Sequence, residues 1–373
     1  MKNWKYISLV ILTTLGVTVA GCASGTQSPS PAQDQTQSQQ GGSGQQSTEM
    51  SEHDKLVEQA KKEGKLVVYG GTPEPQLVQY LEKFHEKYPF IDVSEYFRAG
   101  GSKLFSKVMT EIESGQLNAD LLASANLGDL IELKKKNLLL EYHSPEGKAI
   151  FDNMKDPGYW YAYRINTIPM SYNPDILPEA EAPKTWADLL DPKYKGKIAF
   201  EDAGSGSQYA QWYALREVLG DEFFEKLSKQ EPKIYNSSGL IAQGLQTGEI
   251  LVAGSSESFR YYQEAVLKGV PLKLVNPPEG IAGMIAPIGI MKDAKHPAAA
   301  KLYVEFALSQ EGQKFRNSEV LGAYSSRADV PPPEGMEAYS EINVLIPKDF
   351  DDLQKKREVF TETWTRLFQS KQK

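Results

Sequence analysis

Six short tracts of small polar residues are where this chain could do chemistry: Tyr69-Gly70-Gly71-Thr72, Arg98-Ala99-Gly100-Gly101-Ser102, Ser124-Ala125-Asn126, Gly204-Ser205-Gly206-Ser207, Asn236-Ser237-Ser238-Gly239 and Gly254-Ser255-Ser256. Each follows a short apolar segment and precedes a run with helical spacing. A helix start leaves backbone N–H groups unpaired, with the positive end of the helix dipole behind them. Such a tract can therefore hold an anion without any net charge of its own. Ser, Asn and Gly also cap helices with no ligand involved. Their repetition on successive strand ends is what favours a binding role.

Other chemistries find little support. The sequence has no HExxH, GxSxG or Walker A motif. Its four histidines, His53, His85, His143 and His296, are scattered, and a single cysteine, Cys22, excludes an intramolecular disulfide or a cysteine metal cluster. The acid pair Glu201-Asp202 adjoins a glycine-serine turn and reads as caps. With 49 acidic against 41 basic residues, the net charge of -8 argues against nucleic acid as a partner and against a generally basic capture surface. Any anion specificity must be local.

The elements that position these tracts follow βαβ arithmetic. A helix capped by Ser51 and ended by Gly64 precedes a strand at Lys65–Tyr69. Leu77, Tyr80, Leu81, Phe84 and Tyr88 form an apolar helical stripe, Ile91–Phe97 a strand, Leu104–Ile112 a helix, Leu121–Ala123 a strand and Leu127–Leu133 a helix. The pattern recurs around strands at Lys197–Phe200, Lys233–Tyr235 and Ile250–Ala253. Parallel sheets built this way bind ligands at the carboxyl ends of their strands. The alternating segments Tyr161–Asn173 and Gly280–Met291 are expected to cross between two lobes, since a chain this long exceeds one core. Helices at Pro297–Leu308, Glu311–Arg316 and Phe350–Phe368 are assigned to the first lobe. Upstream, Lys2 and Lys5 precede an apolar run, Ile7–Val19, that reads as an export signal too short to be a comfortable membrane span. Val19-Ala20-Gly21-Cys22 resembles a lipobox, which predicts a diacylglyceryl anchor on Cys22. Residues 23–50 are Ser, Gln, Gly, Thr and Pro with almost nothing apolar, and read as a flexible tether.

From Ser51 onward the chain resembles bacterial solute-binding proteins of the iron(III)/small-anion group, the extracellular components of ABC importers. The resemblance is carried by Ala60-Lys61-Lys62-Glu63-Gly64-Lys65-Leu66-Val67-Val68-Tyr69, by the Pro183–Phe200 block PKTWADLLDPKYKGKIAF, and by Asn236-Ser237-Ser238-Gly239 with Leu245-Gln246-Thr247-Gly248-Glu249. Pro297–Phe306 followed by Ser309-Gln310-Glu311-Gly312-Gln313 also matches. It implies an α/β, two-lobed periplasmic-binding-protein-like fold of type II, each lobe a mainly parallel sheet flanked by helices. The implied organisation is a signal at 1–21, a lipidated tether at 22–50, the first part of lobe 1 at 51–175, lobe 2 at 176–279, and the return to lobe 1 at 280–373. A monomer that closes on a ligand, delivers it to permease subunits and turns nothing over is expected.

Two ligands fit that frame. An oxyanion or a phosphorylated or carboxylated metabolite would be held by Gly71, Thr72, Gly101, Ser102, Ser124, Asn126, Ser205, Gly206, Ser207, Asn236, Ser237, Ser238, Ser256 and Glu257. Arg98 or Arg164 would serve as a bidentate clamp, and Tyr69 or Tyr209 as donor or stacking surface. The iron-binding relatives instead use two adjacent tyrosinates at the strand end matching Ile250–Ala253, with a synergistic anion. Here that strand end reads Gly254-Ser255-Ser256-Glu257-Ser258, and Tyr261-Tyr262 follow one turn later, about 100° apart on a helix. Ferric iron as cargo would have to draw on Tyr69, Glu257, Tyr261 and Tyr262, so the anion is preferred. An exported enzyme or a sensory module on the same fold is the reading from another class.

Overall fold

The computed structural model describes residues 50–369, apart from Gly101, Gly204, Ser205 and Lys348. The signal, the lipobox with Cys22 and the tether lie outside the described residues. Helix α1 (Glu52–Glu63) opens with a reciprocal cap, the Ser51 hydroxyl accepting from Asp54 N–H and the Asp54 carboxylate accepting from Ser51 N–H, and closes at Gly64 with φ +64°. Then come β1 (Val68–Gly70), α2 (Glu74–Lys87), β2 (Tyr96–Arg98), α3 (Ser102–Glu113), β3 (Leu121–Ala123) and α4 (Leu127–Lys135). In α2, Leu77, Tyr80, Leu81 and Phe84 form the buried stripe. Strand β1 is shorter than its apolar run because the buried Asp120 carboxylate takes the Val67 N–H at 2.8 Å, where a strand partner would otherwise sit.

Strands β4 (Lys155–Asp156) and β5 (Trp160–Ile168) follow, and Pro169 carries the chain into β6 (Met170–Tyr172) of a second sheet. That region continues through β7 (Ile198–Glu201), α5 (Gly206–Ser228), β8 (Lys233–Tyr235), α6 (Ser238–Thr247), β9 (Val252–Ala253), α7 (Ser258–Tyr261) and β10 (Lys273–Val275). The chain then returns through β11 (Ile281–Ile290), α8 (Pro297–Leu308), α9 (Gln310–Gln313) and β12 (Val344–Leu345), and ends in α10 (Phe350–Lys355) and α11 (Arg357–Trp364). The first sheet runs β2-β1-β3-β11-β5-β4, with β12 beside β11; the second runs β10-β6-β9-β7-β8. Strands β1, β2 and β3 are parallel to one another, as are β7, β8 and β9.

Three expectations change. In the Pro183–Phe200 block the helical spacing of Trp186, Leu189 and Leu190 before Asp191-Pro192 predicts a helix, but the structure holds two 3₁₀ turns, Ala187–Leu190 and Pro192–Tyr194, with extended Asp191 capping the second. Its buried Trp186 donates from Nε1 to the Gly280 carbonyl at 2.8 Å, joining the block to the returning chain. Strand β11 stays wholly in the first sheet, so the second crossing is made by residues 276–280 before it, turning at Gly280 with φ +120°. The C-terminal helices do not close the first lobe. Phe360, Trp364 and Phe368 pack with Phe200, Tyr209 and Trp212 in the core of the second, because their helical spacing presents one aromatic face to the aromatic face of α5.

Trp364 lies with its ring centre 4.4 Å from that of Trp212 and 4.3 Å from that of Phe368. Trp364→Ala is expected to cost about 3–5 kcal/mol in urea unfolding, while exposed Val359→Ala changes stability by less than about 0.5 kcal/mol.

Candidate functional site

The sheet register fixes where the first wall of the site lies. Strand β11 pairs antiparallel with both β3 and β5, so β1, β3 and β5 all point the same way. Ala123, the last residue of β3, is level with Ile288 and hence with Tyr161, whereas Arg164 faces Ala286 further on. Arg164 therefore stands beyond the end of β3, beside the loops that follow β1 and β3. The ladder slips between Ala286 and Pro287, leaving Tyr163 as the extra residue of a bulge. Proline cannot donate to the ladder, and a bulge re-aims the side chains next to it.

Arg164 is 5% exposed; its Nη1 donates to Asn166 Oδ1 at 2.9 Å and its Nε has no partner. No carboxylate among the described residues forms an ion pair with it. Exposed Arg98 reaches the same wall, donating from Nε to the Thr72 carbonyl at 3.2 Å. Thr72 is buried at the mouth of β1, and Gly71 lets its loop approach Ala125 so closely that a Cβ would stand 3.1 Å from the Ala125 nitrogen.

Several expected donors are already committed. The Gly71 N–H bonds the Ala123 carbonyl. The Ser124 hydroxyl donates to Asp129 at 2.6 Å, and Asn126 caps α4 by accepting from Gly128 N–H and donating to Asp129 at 2.8 Å. Both side chains are thus engaged in capping α4. Tyr69 lies under α3, its hydroxyl donating to Glu111 at 2.7 Å and its ring packed on Phe97, while burial and Glu111 push its ionisation far up. Tyr209 faces the C-terminal helices, donating to the Leu353 carbonyl at 2.6 Å, and burial pushes its ionisation up to about 12. Neither tyrosine reaches the strand ends, because alternate residues of a strand and the far side of a helix face the core.

The second wall is built where β7, β8 and β9 end. Asn236 and Ser237 are exposed, and the Ser237 hydroxyl precedes α6 without making a cap bond. Ser238 is buried and accepts from Arg260 Nε at 3.3 Å. Ser256 and Glu257 are almost buried where their tract meets the crossing: Ser256 N–H bonds the Pro169 carbonyl at 3.0 Å, and the Ser258 hydroxyl accepts from Thr167 N–H at 3.3 Å. Arg260 was not singled out by the sequence. It lines a cavity of about 10 Å³ with Ser171, Ser238, Ser255, Ser256 and Tyr261. Burial raises the ionisation of the nearby Glu201 carboxyl, and Arg260 pulls it back. A lone arginine in a first helical turn carries no sequence signal of its own; only the packing of α7 against α6 selects it. Ser102 opens α3, and Gly206 with Ser207 opens α5; Gly101 and Ser205 lie outside the described residues.

The iron set does not assemble. The Tyr261 hydroxyl donates to the Gly335 carbonyl at 3.2 Å, while the base of the Tyr262 side chain packs on Gly322, so the two adjacent tyrosines are held against different segments. Burial raises both ionisations. Among the described residues no three His, Cys, Asp or Glu side chains are grouped to hold a metal ion.

Residues 79–344 match the family of bacterial extracellular solute-binding proteins. The chain belongs to that family. This solute-binding protein is 29% identical over 270 residues to an uncharacterized protein of Haemophilus influenzae, spanning 69% of this chain and 76% of that one. It is 24% identical over 250 residues to a putative 2-aminoethylphosphonate-binding periplasmic protein of Salmonella typhimurium, 64% of this chain and 71% of the relative. Among solved structures it is similar to the periplasmic binding protein AfuA of Actinobacillus pleuropneumoniae with fructose-6-phosphate bound. The TM-score is 0.65 at 25% identity, over 82% of this chain and 98% of the other. The fold is the two-lobed, type II periplasmic-binding-protein architecture, and the family's work is binding and delivery of solutes by ABC importers.

One group beside the site titrates in an accessible range. Burial lifts the Asp129 carboxyl to about 6, against the opposing hydrogen bonds of Ser124 and Asn126. A carboxyl raised on folding favours the folded state while it is protonated. The stability it lends is therefore full below its unfolded value near 3.8 and lost as pH rises through about 6. Urea midpoints should fall across that window by the equivalent of about 2–3 kcal/mol, and Asp129→Asn should flatten the profile.

Proposed function

We propose that this solute-binding protein captures a small anion, an oxyanion or a phosphorylated, phosphonylated or carboxylated metabolite, between its two walls. The observation that carries the reading is Arg164: a buried guanidinium beside the strand-end loops with no carboxylate partner and an unused Nε donor. A buried cation without a counter-ion is costly, and a ligand anion supplies one. The opposite wall offers the start of α6 at Asn236, Ser237 and Ser238, with Arg260 beside it. Glu201, at the end of β7, suits an amine or hydroxyl elsewhere on the same ligand. Two of the relatives are named for ligands that carry a phosphorus oxyanion, 2-aminoethylphosphonate and fructose-6-phosphate, and these support the class, while others are named for ferric iron. Closure about the crossings at Pro169 and residues 276–280 would add ligand contacts present only in the closed form, which a permease then reads. Cys22 is the proposed lipid anchor that keeps the protein beside that permease.

The test is a thermal-shift series with 2-aminoethylphosphonate, fructose-6-phosphate, inorganic phosphate and ferric citrate. A bound anion at 100 times its Kd stabilises by about 2.7 kcal/mol. Arg164→Ala should weaken binding by about 1.5–3 kcal/mol, the worth of a charge-assisted hydrogen bond. Stabilisation by iron alone, with a phenolate charge-transfer band lost in Tyr261→Phe, would overturn the anion reading. For the anchor, Cys22→Ser should move the protein from the membrane fraction to the soluble one; unchanged partition counts against lipidation.

A further inference from the structure

The first wall contains a second arginine, and this one is sealed from solvent. Arg316 lies in the π-wound segment Lys314–Leu321 and is 2% exposed. Its guanidinium carbon sits 3.4 Å from the centre of the Tyr80 ring and 4.4 Å from that of Tyr163, and Nη2 donates to the Tyr303 hydroxyl at 3.2 Å. The groups that face it are therefore phenols, from α2, β5 and α8. Asn317, the next residue and also buried, donates from Nδ2 to the Tyr163 carbonyl at 3.1 Å. Arg316 and Asn317 together tie their segment to the strand bulge that presents Arg164.

Arg164 approaches the same Tyr163 ring, its guanidinium carbon 5.9 Å from the centre. The two guanidinium carbons are therefore no further apart than about 10 Å, the sum of their distances to that ring. Each arginine keeps an Nε without a partner, and among the described residues no carboxylate is ion-paired with either. Contact with aromatic faces offsets part of the cost of burying them but supplies no counter-charge. One ligand charge would balance Arg164 alone; the wall holds two cations. We propose that Arg316, acting through space rather than by contact, makes the first wall a seat for a group with two negative charges, such as a phosphate monoester or a phosphonate. A group with one, such as a carboxylate or a phosphodiester, is disfavoured. The proposal rests on the anion reading and narrows it.

Distance does not remove the effect, because the medium between the charges is packed protein rather than salt water. Salt screens exposed charges over about 8–10 Å, and buried ones much less. At an effective dielectric of about 20, a unit charge about 10 Å from Arg316 is favoured roughly tenfold. A monoanion held by Arg164 gains that factor once. A dianion gains it twice and also feels Arg164 with twice the charge. Arg316 thus adds to affinity in proportion to ligand charge, which is how it sets specificity without touching the ligand. An arginine that served only to hold the π-wound segment against α2 would contribute equally to every ligand.

The experiment is calorimetric titration of the full chain in detergent, at mildly alkaline pH. The probes are 2-aminoethylphosphonate and fructose-6-phosphate, each beside its own monomethyl ester, which carries one charge fewer. The parent compound should bind at least about tenfold more tightly than its ester. Arg316→Met should narrow that ratio about tenfold, and Arg316→Lys, which keeps the charge, should preserve it. Equal binding of parent and ester by the wild type overturns the charge selection. Equal weakening of both by Arg316→Met overturns the role of Arg316, since a merely structural arginine would do the same. Should Arg316→Met fail to fold, the wild type decides alone. Its affinity for 2-aminoethylphosphonate should fall by up to about tenfold per pH unit once the phosphonate takes up a proton, while that for the ester does not; parallel profiles overturn the proposal. If neither parent compound nor ester binds, the anion reading fails and the proposal with it, whereas parent and ester binding alike removes the proposal and leaves that reading in place.

Discussion

The antiparallel ladder between Trp160–Ile168 and Ile281–Ile290 is the interaction on which the rest of this protein depends. It is the longest pairing in either sheet, almost wholly buried, and both crossings adjoin its ends: Pro169 leaves from one strand and Gly280 leads into the other. Hydrogen-bonded backbone in a dry environment is stiff, because breaking a rung leaves unsatisfied polar groups. The proposed closure would therefore turn about the few residues just outside the ladder. Its one irregularity, opposite Pro287, is also where chemistry is placed: the bulge presents Arg164 at the end of the sheet, next to the loops after the neighbouring parallel strands.

Charge at that point works against the character of the whole molecule. The protein carries eight net negative charges, yet its first wall buries two guanidinium groups with no acid beside them. Local fields of this kind depend on low dielectric and on what is excluded, far more than on composition. Carboxylates are common in the chain but are held elsewhere, in surface pairs such as Lys135 with Asp351, or in buried structural roles such as Asp120, which ties His296 and Val67 together. The second wall is milder, with Arg260 shared between Ser238, Gln263 and Glu264.

The C-terminal helices show how packing overrides sequence order. After β12 beside the first sheet, the chain passes to the second core and buries Phe360, Trp364 and Phe368 against Trp212 and Phe200. Aromatic faces of this size are worth several kcal/mol each in burial. The helices settle where a complementary aromatic face exists rather than on the lobe nearest in the chain.

By itself the sequence determined the local grammar: the Ser51 cap and Gly64 stop, the stripe of Leu77, Tyr80, Leu81 and Phe84, the strand at Leu121–Ala123, and the alternation that makes an α/β fold with polar tracts at strand ends. These features are legible because they depend on spacing and on neighbours a few residues apart. Tertiary structure alone decided which polar groups remain available. Ser124 and Asn126 look like ligand donors until Asp129 is seen to occupy them, and Tyr69, Tyr209, Tyr261 and Tyr262 look like ligands until Glu111 and the carbonyls of Leu353 and Gly335, with the close backing of Gly322, claim their rings and hydroxyls. Arg260 and Arg316 gain meaning only from partners on other elements. The physical reason is the same throughout: a side chain's chemistry is set by whether its hydrogen bonds and charge are already satisfied, and that depends on residues distant in the chain.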